Sequence, residues 1–340
     1  MVRKLCFSAL ALMLFQCAFA LGMHAQSTSC TGMAIWYFPD AIPSGWVCTQ
    51  PGQGPYSMMC VVPNGNCPPV YWCPTCGKWV VSAGQPINLT NGNTYIQEMD
   101  VRLPGLGGGL SLERTWNSIW PAIESSLQTG MFGLNWRSTY EERIFSGSGS
   151  SVNYMVYSKS DGGLWYFGPN IGSNWKLASP ANTTATLTLN GTTSWTITFQ
   201  NGEQRTFDYT SGALKTITDR NGNATQLTYD GIGRLTTVTD RASRHLYFTY
   251  QSSSSYLATA VTSDFSTSLT YAYDTSNRLT QVTKPDSTTV SFTYNLQSLI
   301  TSVTDMNGKV LESHTYDSRG RGLTSSRANG VDSVTLSYPN

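Results

Sequence analysis

Residues 229–250 read Tyr229-Asp230-Gly231-Ile232-Gly233-Arg234-Leu235-Thr236-Thr237-Val238-Thr239-Asp240-Arg241-Ala242-Ser243-Arg244-His245-Leu246-Tyr247-Phe248-Thr249-Tyr250, and this stretch decides the fold. Its last part alternates, with Leu246, Phe248 and Tyr250 two residues apart. Period two is the signature of a strand with one apolar face. Its first part sets Leu235 and Val238 three apart. That spacing departs from alternation and predicts a bulge or bend in the outgoing strand. Polar turn residues around Asp230 and Asp240 delimit the two strands, so the stretch predicts a β-hairpin.

The pattern recurs to the end of the chain. Tyrosines fall at Tyr229, Tyr250, Tyr273, Tyr294, Tyr316 and Tyr338, in steps of about 21 to 23 residues. Four copies open on an aromatic-Asp pair: Phe207-Asp208, Tyr229-Asp230, Tyr273-Asp274 and Tyr316-Asp317. Gly233-Arg234-Leu235, Asn277-Arg278-Leu279 and Gly320-Arg321 follow three of them. Alternation returns in Leu269/Tyr271/Tyr273, Val290/Phe292/Tyr294 and Val334/Leu336/Tyr338, and the i, i+3 pair in Leu214/Ile217 and Leu279/Val282. Asp219-Arg-Asn-Gly222 and Asp305-Met-Asn-Gly308 have hairpin-turn chemistry, because Asn and Gly accept positive φ at little cost. A lone hairpin is marginal in water, so neighbours must stack to bury the aromatic faces. The expected architecture is all-β: antiparallel hairpin repeats in a curved, open sheet. Three further expectations follow from the copies. The arginines at 234, 278 and 321 should pair as surface ions with an Asp of a neighbouring repeat. The aspartates at 219, 240 and 305 should serve their own turns rather than calcium. In the copy before Tyr316 the alternating positions hold Glu312 and His314, which predicts a solvated or rim face there.

The aromatic-Asp, Gly-Arg-Leu and Val-Thr-Asp elements, repeated in order and spacing, resemble the YD repeats of the Rhs (rearrangement hot spot) family over residues 205–340. Upstream, Asn91-Gly92-Asn93-Thr94-Tyr95, Leu110-Ser-Leu-Glu-Arg-Thr-Trp-Asn117 and Phe132-Gly-Leu-Asn-Trp136 look like the domain that precedes such repeats. The resemblance implies a β-sheet that winds into a hollow shell able to enclose a C-terminal toxin, in an exported setting. The chain departs from the full pattern, with no shell-closing core motif or C-terminal effector before Asn340. About six repeats suggest an open sheet with an unpaired edge near Tyr338, and so self-association or pairing with another Rhs segment there.

The first quarter reads differently. Arg3 and Lys4 precede an apolar run from Leu5 to Leu21, with small residues at Ala18-Phe19-Ala20 and Ala25. This is the pattern of a secretory signal over residues 1–25, and the run is short for a membrane span. Six cysteines remain after it: Cys30, Cys48, Cys60, Cys67, Cys73 and Cys76. An even set crowded into an exported, Pro/Gly/Trp-rich segment (26–84) reads as a disulfide module of undecided pairing. Zinc or a redox pair at Cys73-Pro-Thr-Cys76 is the competing reading. Residues 85–205 form a further β domain and 206–340 the repeats.

Composition narrows the function. Lys+Arg is 21 against Asp+Glu 20, a net charge of +1, which excludes nucleic-acid binding by bulk charge. Charged residues make up only 12% and aromatics another 12%, which suits many short strands better than solvated helices. The two histidines past the leader's end, His245 and His314, lie in different repeats, and no nucleophile elbow, zincin pair or P-loop occurs. Neither a catalytic residue, a cofactor nor a metal is expected. The leading expectation is an exported scaffold or cell-surface module whose exposed aromatics meet a carbohydrate or protein. The alternative is an N-terminal fragment of an Rhs-type polymorphic toxin, and a hydrolase is the most remote reading.

Overall fold

The computed structural model describes residues 86–338 apart from 106–108, 149–152, 169–173, 180–183 and 266, together with the backbone of four strands nearer the N-terminus. Those strands are β1 (Met33–Tyr37), β2 (Val47–Pro51), β3 (Ser57–Val61) and β4 (Ser82–Ala83). β3 lies between β1 and β2, and the register sets Cys48 opposite Cys60. The leader, Cys30, Cys67, Cys73, Cys76 and the side chains of Cys48 and Cys60 lie outside the described residues.

A compact module follows. β5 (Ile87–Asn88) pairs with β4. β6 (Tyr95–Leu103) pairs with β7 (Leu110–Asn117), and β7 with β10 (Trp136–Ser138). A 3-10 segment, Ala122–Leu127, and the short pair β8 (Thr129–Gly130) and β9 (Gly133–Leu134) link β7 to β10.

The rest of the chain is one antiparallel sheet of nineteen strands, β11 (Arg143–Ser148) to β29 (Val331–Thr335), each paired with the next in sequence. The sheet begins at Arg143, well before the sequence repeat at residue 206, and runs through that point without a break. It also curls: Arg143 bridges Ala213, and the Ile144 amide donates to the Gly212 carbonyl at 3.0 Å.

The repeat hairpins obey their spacing. In β21 (His245–Tyr250) Leu246 and Phe248 are buried, Tyr247 and Thr249 exposed and Tyr250 half-buried. In β20 (Leu235–Thr239) Leu235 and Val238 are both buried. They can share one face because the register slips between them: Tyr229 faces Leu235 while Thr228 faces Thr237, so Thr236 is the extra residue of a bulge. The same slip recurs at Phe207, Tyr250, Tyr273, Tyr294 and Tyr316.

Two expectations need correction. His314 is not solvated: it is 2% exposed, because the face that carries it is covered by the N-terminal module rather than by water. Arg234, Arg278 and Arg321 do not reach an Asp of a neighbouring repeat. Each pairs with the Asp four residues earlier in its own turn, at 2.6–2.7 Å.

Candidate functional site

The aromatic-Asp…Arg signature builds a continuous ladder along one rim of the sheet. Asp230 Oδ1 accepts from the Ile232 and Arg234 amides and Oδ2 from Arg234 Nε at 2.7 Å. Asp274 and Asp317 repeat this with Arg278 and Arg321. These bonds hold the Asp230 carboxyl below its ordinary range, the Arg234 amide contributing most. The guanidinium then reaches forward over the ring of the next tyrosine: Arg234 over Tyr250 (4.7 Å), Arg278 over Tyr294 (5.0 Å) and Arg321 over Tyr338 (4.2 Å).

Each tyrosine closes the gap that a bulge opens. The Tyr250 hydroxyl donates to the Leu235 carbonyl at 2.7 Å, beside the bulge that frees it from the strand ladder. Tyr229, Tyr273, Tyr294, Tyr316 and Tyr338 donate to the carbonyls of Leu214, Ala258, Leu279, Ile300 and Gly322 at 2.6–2.7 Å. Burial holds the Tyr250 and Tyr294 phenols above their ordinary values, so they remain donors. At the other rim Asp219, Asp240 and Asp305 accept from amides of their own turns, the role their sequence predicts.

The inner face of this sheet is filled. Successive repeat strands each meet a different aromatic ring of the N-terminal module. Phe248 meets Tyr140 (6.4 Å), Tyr271 meets Phe132 (4.8 Å), Phe292 meets Trp136 (5.3 Å) and Tyr316 meets Trp116 (6.4 Å). Backbone bonds fix the register of the contact. The Leu134 amide donates to the Asn277 carbonyl, Ala258 to Met131 and Gly322 to Gly92, at 2.8–3.0 Å. At Gly133, φ is +92° and an added Cβ would lie 2.5 Å from the Asn277 carbonyl, so no side chain fits.

An ion pair lies at the centre of the contact. Arg114 and Asp100 are both buried and doubly hydrogen-bonded, with Arg114 Nη2 2.8 Å from Asp100 Oδ1. The guanidinium lies over Trp136 (4.6 Å) and near Tyr271, whose hydroxyl donates to Asp100 Oδ2 at 2.8 Å. Burial pushes the Arg114 guanidinium down, but Asp100 beside it more than compensates and leaves it above its ordinary value.

Sequence reading found the residues of the ladder, though it paired their arginines with the wrong repeat, and missed the module's rings and the Arg114–Asp100 pair. One signal could have located them. Turns with arginine alternate with turns without it: Ala213, Leu257 and Leu299 stand in the arginine's place. Of the tyrosines that follow these turns, Tyr273 is met by Gly133 and Tyr316 by Trp116. Two of the three arginine-free turns thus precede a tyrosine that the module meets, while the module also reaches Tyr338, after an arginine turn, through Gly92. Among the described residues no group of three or more His, Cys, Asp or Glu is arranged to hold a metal, and no helix is long and apolar enough to cross a membrane.

Comparison with known proteins agrees with this geometry. Residues 156–333, more than half the chain, match the family described as teneurin YD-shell, and residues 84–167 match a domain of unknown function, DUF6531. The tRNA nuclease WapA of Bacillus subtilis (strain 168) is 27% identical over 157 residues, 44% of this chain and 6% of WapA. The tRNA(Glu)-specific nuclease WapA of Bacillus subtilis subsp. natto is 28% identical over the same shares. The chain therefore spans only a small part of these relatives. Among solved structures, TcdB2-TccC3-Cdc42 covers 68% of this chain and 16% of its own at 15% identity (TM-score 0.30). The Photorhabdus luminescens Tc holotoxin pore covers 69% and 14% at 13% identity (TM-score 0.27).

Proposed function

Because the chain belongs to the teneurin YD-shell family, we propose that it is an exported, non-enzymatic β-scaffold that presents a surface for protein or carbohydrate at the cell exterior. One observation carries the reading. The inner face of the sheet, where a shell would hold cargo, is packed by the rings of the same chain's residues 116–140. What remains for contact is the outer face, the turn tips and the outermost strand β29, whose residues are mostly exposed. Exposed apolar tips such as Ile232, Tyr256 and Leu296 along the tyrosine rim suit contacts of this kind. The N-terminal pattern read as a secretory signal supports export.

The reading is tested on protein recovered from cells that express the full gene. It is expected outside the cytoplasm, with its N-terminus after Ala20 or Ala25, and without turnover of polysaccharide, peptide or tRNA. Cytoplasmic retention, or hydrolysis lost on changing one acidic residue, would overturn it.

A second reading has its own support. The relatives at 27–28% identity are by name tRNA nucleases of which this chain matches 6%, and alternation continues past β29 into Leu336 and Tyr338. On this view the module seals the start of a shell that continues beyond these repeats and encloses an effector. Cleavage of tRNA by the native protein is the outcome that favours it over the scaffold.

A further inference from the structure

A cavity of about 1080 Å³ lies between the N-terminal module and the first repeats, at the upper end of the range of ligand sites. Its wall departs from the rest of the inner face. Tyr229 follows an arginine-free turn, and here the module leaves its surroundings open instead of covering them: the ring lines the cavity. Two ionisable groups of the same wall lie near enough to act on it through their charge. The guanidinium of Arg143, at the head of β11, has no ion-pair or hydrogen-bond partner among the described residues. Glu141 Oε1 accepts from the Met131 amide at 2.7 Å, while Oε2 is closed off from solvent and the carboxyl is also held by Ser138. Both act on the Tyr229 phenol, Arg143 lowering and Glu141 raising its value beneath the larger effect of burial.

The other charges of the wall are already committed. Arg137 pairs with Glu124, Glu142 with Arg205 and Arg234 with Asp230. Lys215 is half-exposed and loosely paired with Asp208 at 3.8 Å. Burial pushes the Glu141 carboxyl up, against the Met131 amide and Ser138, which lower it. Arg143 is the cation of the wall that none of these pairs engages, which suits an anion and disfavours a second cation. Leu227, Leu257 and Met131 add apolar wall, which suits a peptide side chain better than a sugar or a phosphate.

We propose that this cavity docks the C-terminal carboxylate of a peptide that ends in an apolar residue. Arg143 pairs with the carboxylate, and the last side chain lies against Leu227 and Leu257.

Fluorescence polarisation on the full chain tests this, with N-terminally labelled Ala-Ala-Ala-Leu-Leu as free acid and as C-terminal amide. The acid is expected to saturate and the amide to bind at least tenfold more weakly. Arg143→Met is expected to lose tenfold or more, and Arg143→Lys to keep most of the affinity. Leu257→Ala, which leaves the charges untouched, is expected to weaken the acid severalfold and the amide alike. Equal binding of acid and amide, an Arg143→Met protein that binds normally, or no binding at millimolar peptide would overturn the proposal. So would saturable displacement of a bound probe by orthophosphate or glucuronate but not by the peptide acid. None of these results bears on export or turnover, so the scaffold reading stands or falls separately.

Discussion

Replacing Arg114 by methionine separates the docked module from an incidental contact. Arg114 and Asp100 are each about 1% exposed in their side chains, so removing one leaves the other as a buried, uncompensated charge. Breaking a buried pair in this way costs about 3–5 kcal/mol. Asp100 would keep the Tyr271 hydroxyl, a charge-assisted bond worth roughly 1.5–3 kcal/mol, which places the expected loss at the lower end of that range. A domain of 150–250 residues loses roughly 2–4 °C of Tm per kcal/mol, so a fall of about 6–12 °C is expected. The double variant Asp100→Leu/Arg114→Met removes both charges and replaces them with apolar volume among Trp136, Phe132 and Tyr271. It is expected to recover most of the stability, because buried pairs are often no better than apolar substitutes. Thermal unfolding followed by tryptophan fluorescence reads both, since Trp136 stacks on the guanidinium. A single variant within 2 °C of the parent, or a double variant worse than the single, would refute the placement of this pair at the heart of the contact.

Gly133→Ala, which drives a Cβ into the Asn277 carbonyl, is expected to loosen the module from the sheet; hydrogen exchange at Leu134 and Ala258 should quicken while amides of β11 keep their protection. Tyr250→Phe and Tyr294→Phe each remove a hydroxyl from a bulge carbonyl and should cost about 0.5–1.5 kcal/mol apiece in urea unfolding, with additive effects in the double variant because the two lie in separate hairpins. The carboxyl of Asp274 is held below its ordinary range: burial opposes this, but the Arg278 amide and guanidinium outweigh it. A depressed carboxyl stabilises above its unfolded pKa of about 3.9 and loses that contribution as pH falls through the folded value. The Tm gap between the parent and Asp274→Asn should therefore be full at pH 6 and shrink towards pH 3; a gap that widens on acidification would contradict the turn geometry.

The hairpins were legible because everything that makes them is local. Alternation, a Leu-x-x-Val slip and an Asp-led turn all fit within 22 residues, and the repetition of the pattern averages out its exceptions. The slip even fixed the bulge, between Leu235 and Val238. The arginines were misplaced because an Asp in the same turn and one in the next repeat are equally compatible with a periodic sequence. Only the turn's own geometry, with Asp230 Oδ1 on two amides and Oδ2 free for Nε, decides between them. His314 was misread for a different reason. A polar residue in an apolar stripe signals solvent only when nothing else covers the stripe, and the cover here comes from some 200 residues earlier in the chain.

That cover left a trace in the repeats themselves. A YD unit that contacts only other YD units can close its tyrosine with the arginine of the turn before it. Where Gly133 or Trp116 meets the ring, an added arginine would compete for the same space. The arginine-free turns before Tyr273 and Tyr316 fall where Gly133 and Trp116 arrive, and the third, before Tyr229, opens on the cavity that Arg143 lines. Departures from the repeat are thus better guides to what the sheet touches than the repeat is. Restoring the pattern by Leu299→Arg sets this logic against the packing directly. A guanidinium placed towards Tyr316 must displace the Trp116 contact, so the variant should lose stability and expose Trp116 to quenching by iodide. Insertion of arginine with neither effect would mean that the alternation of turns carries no information about the module.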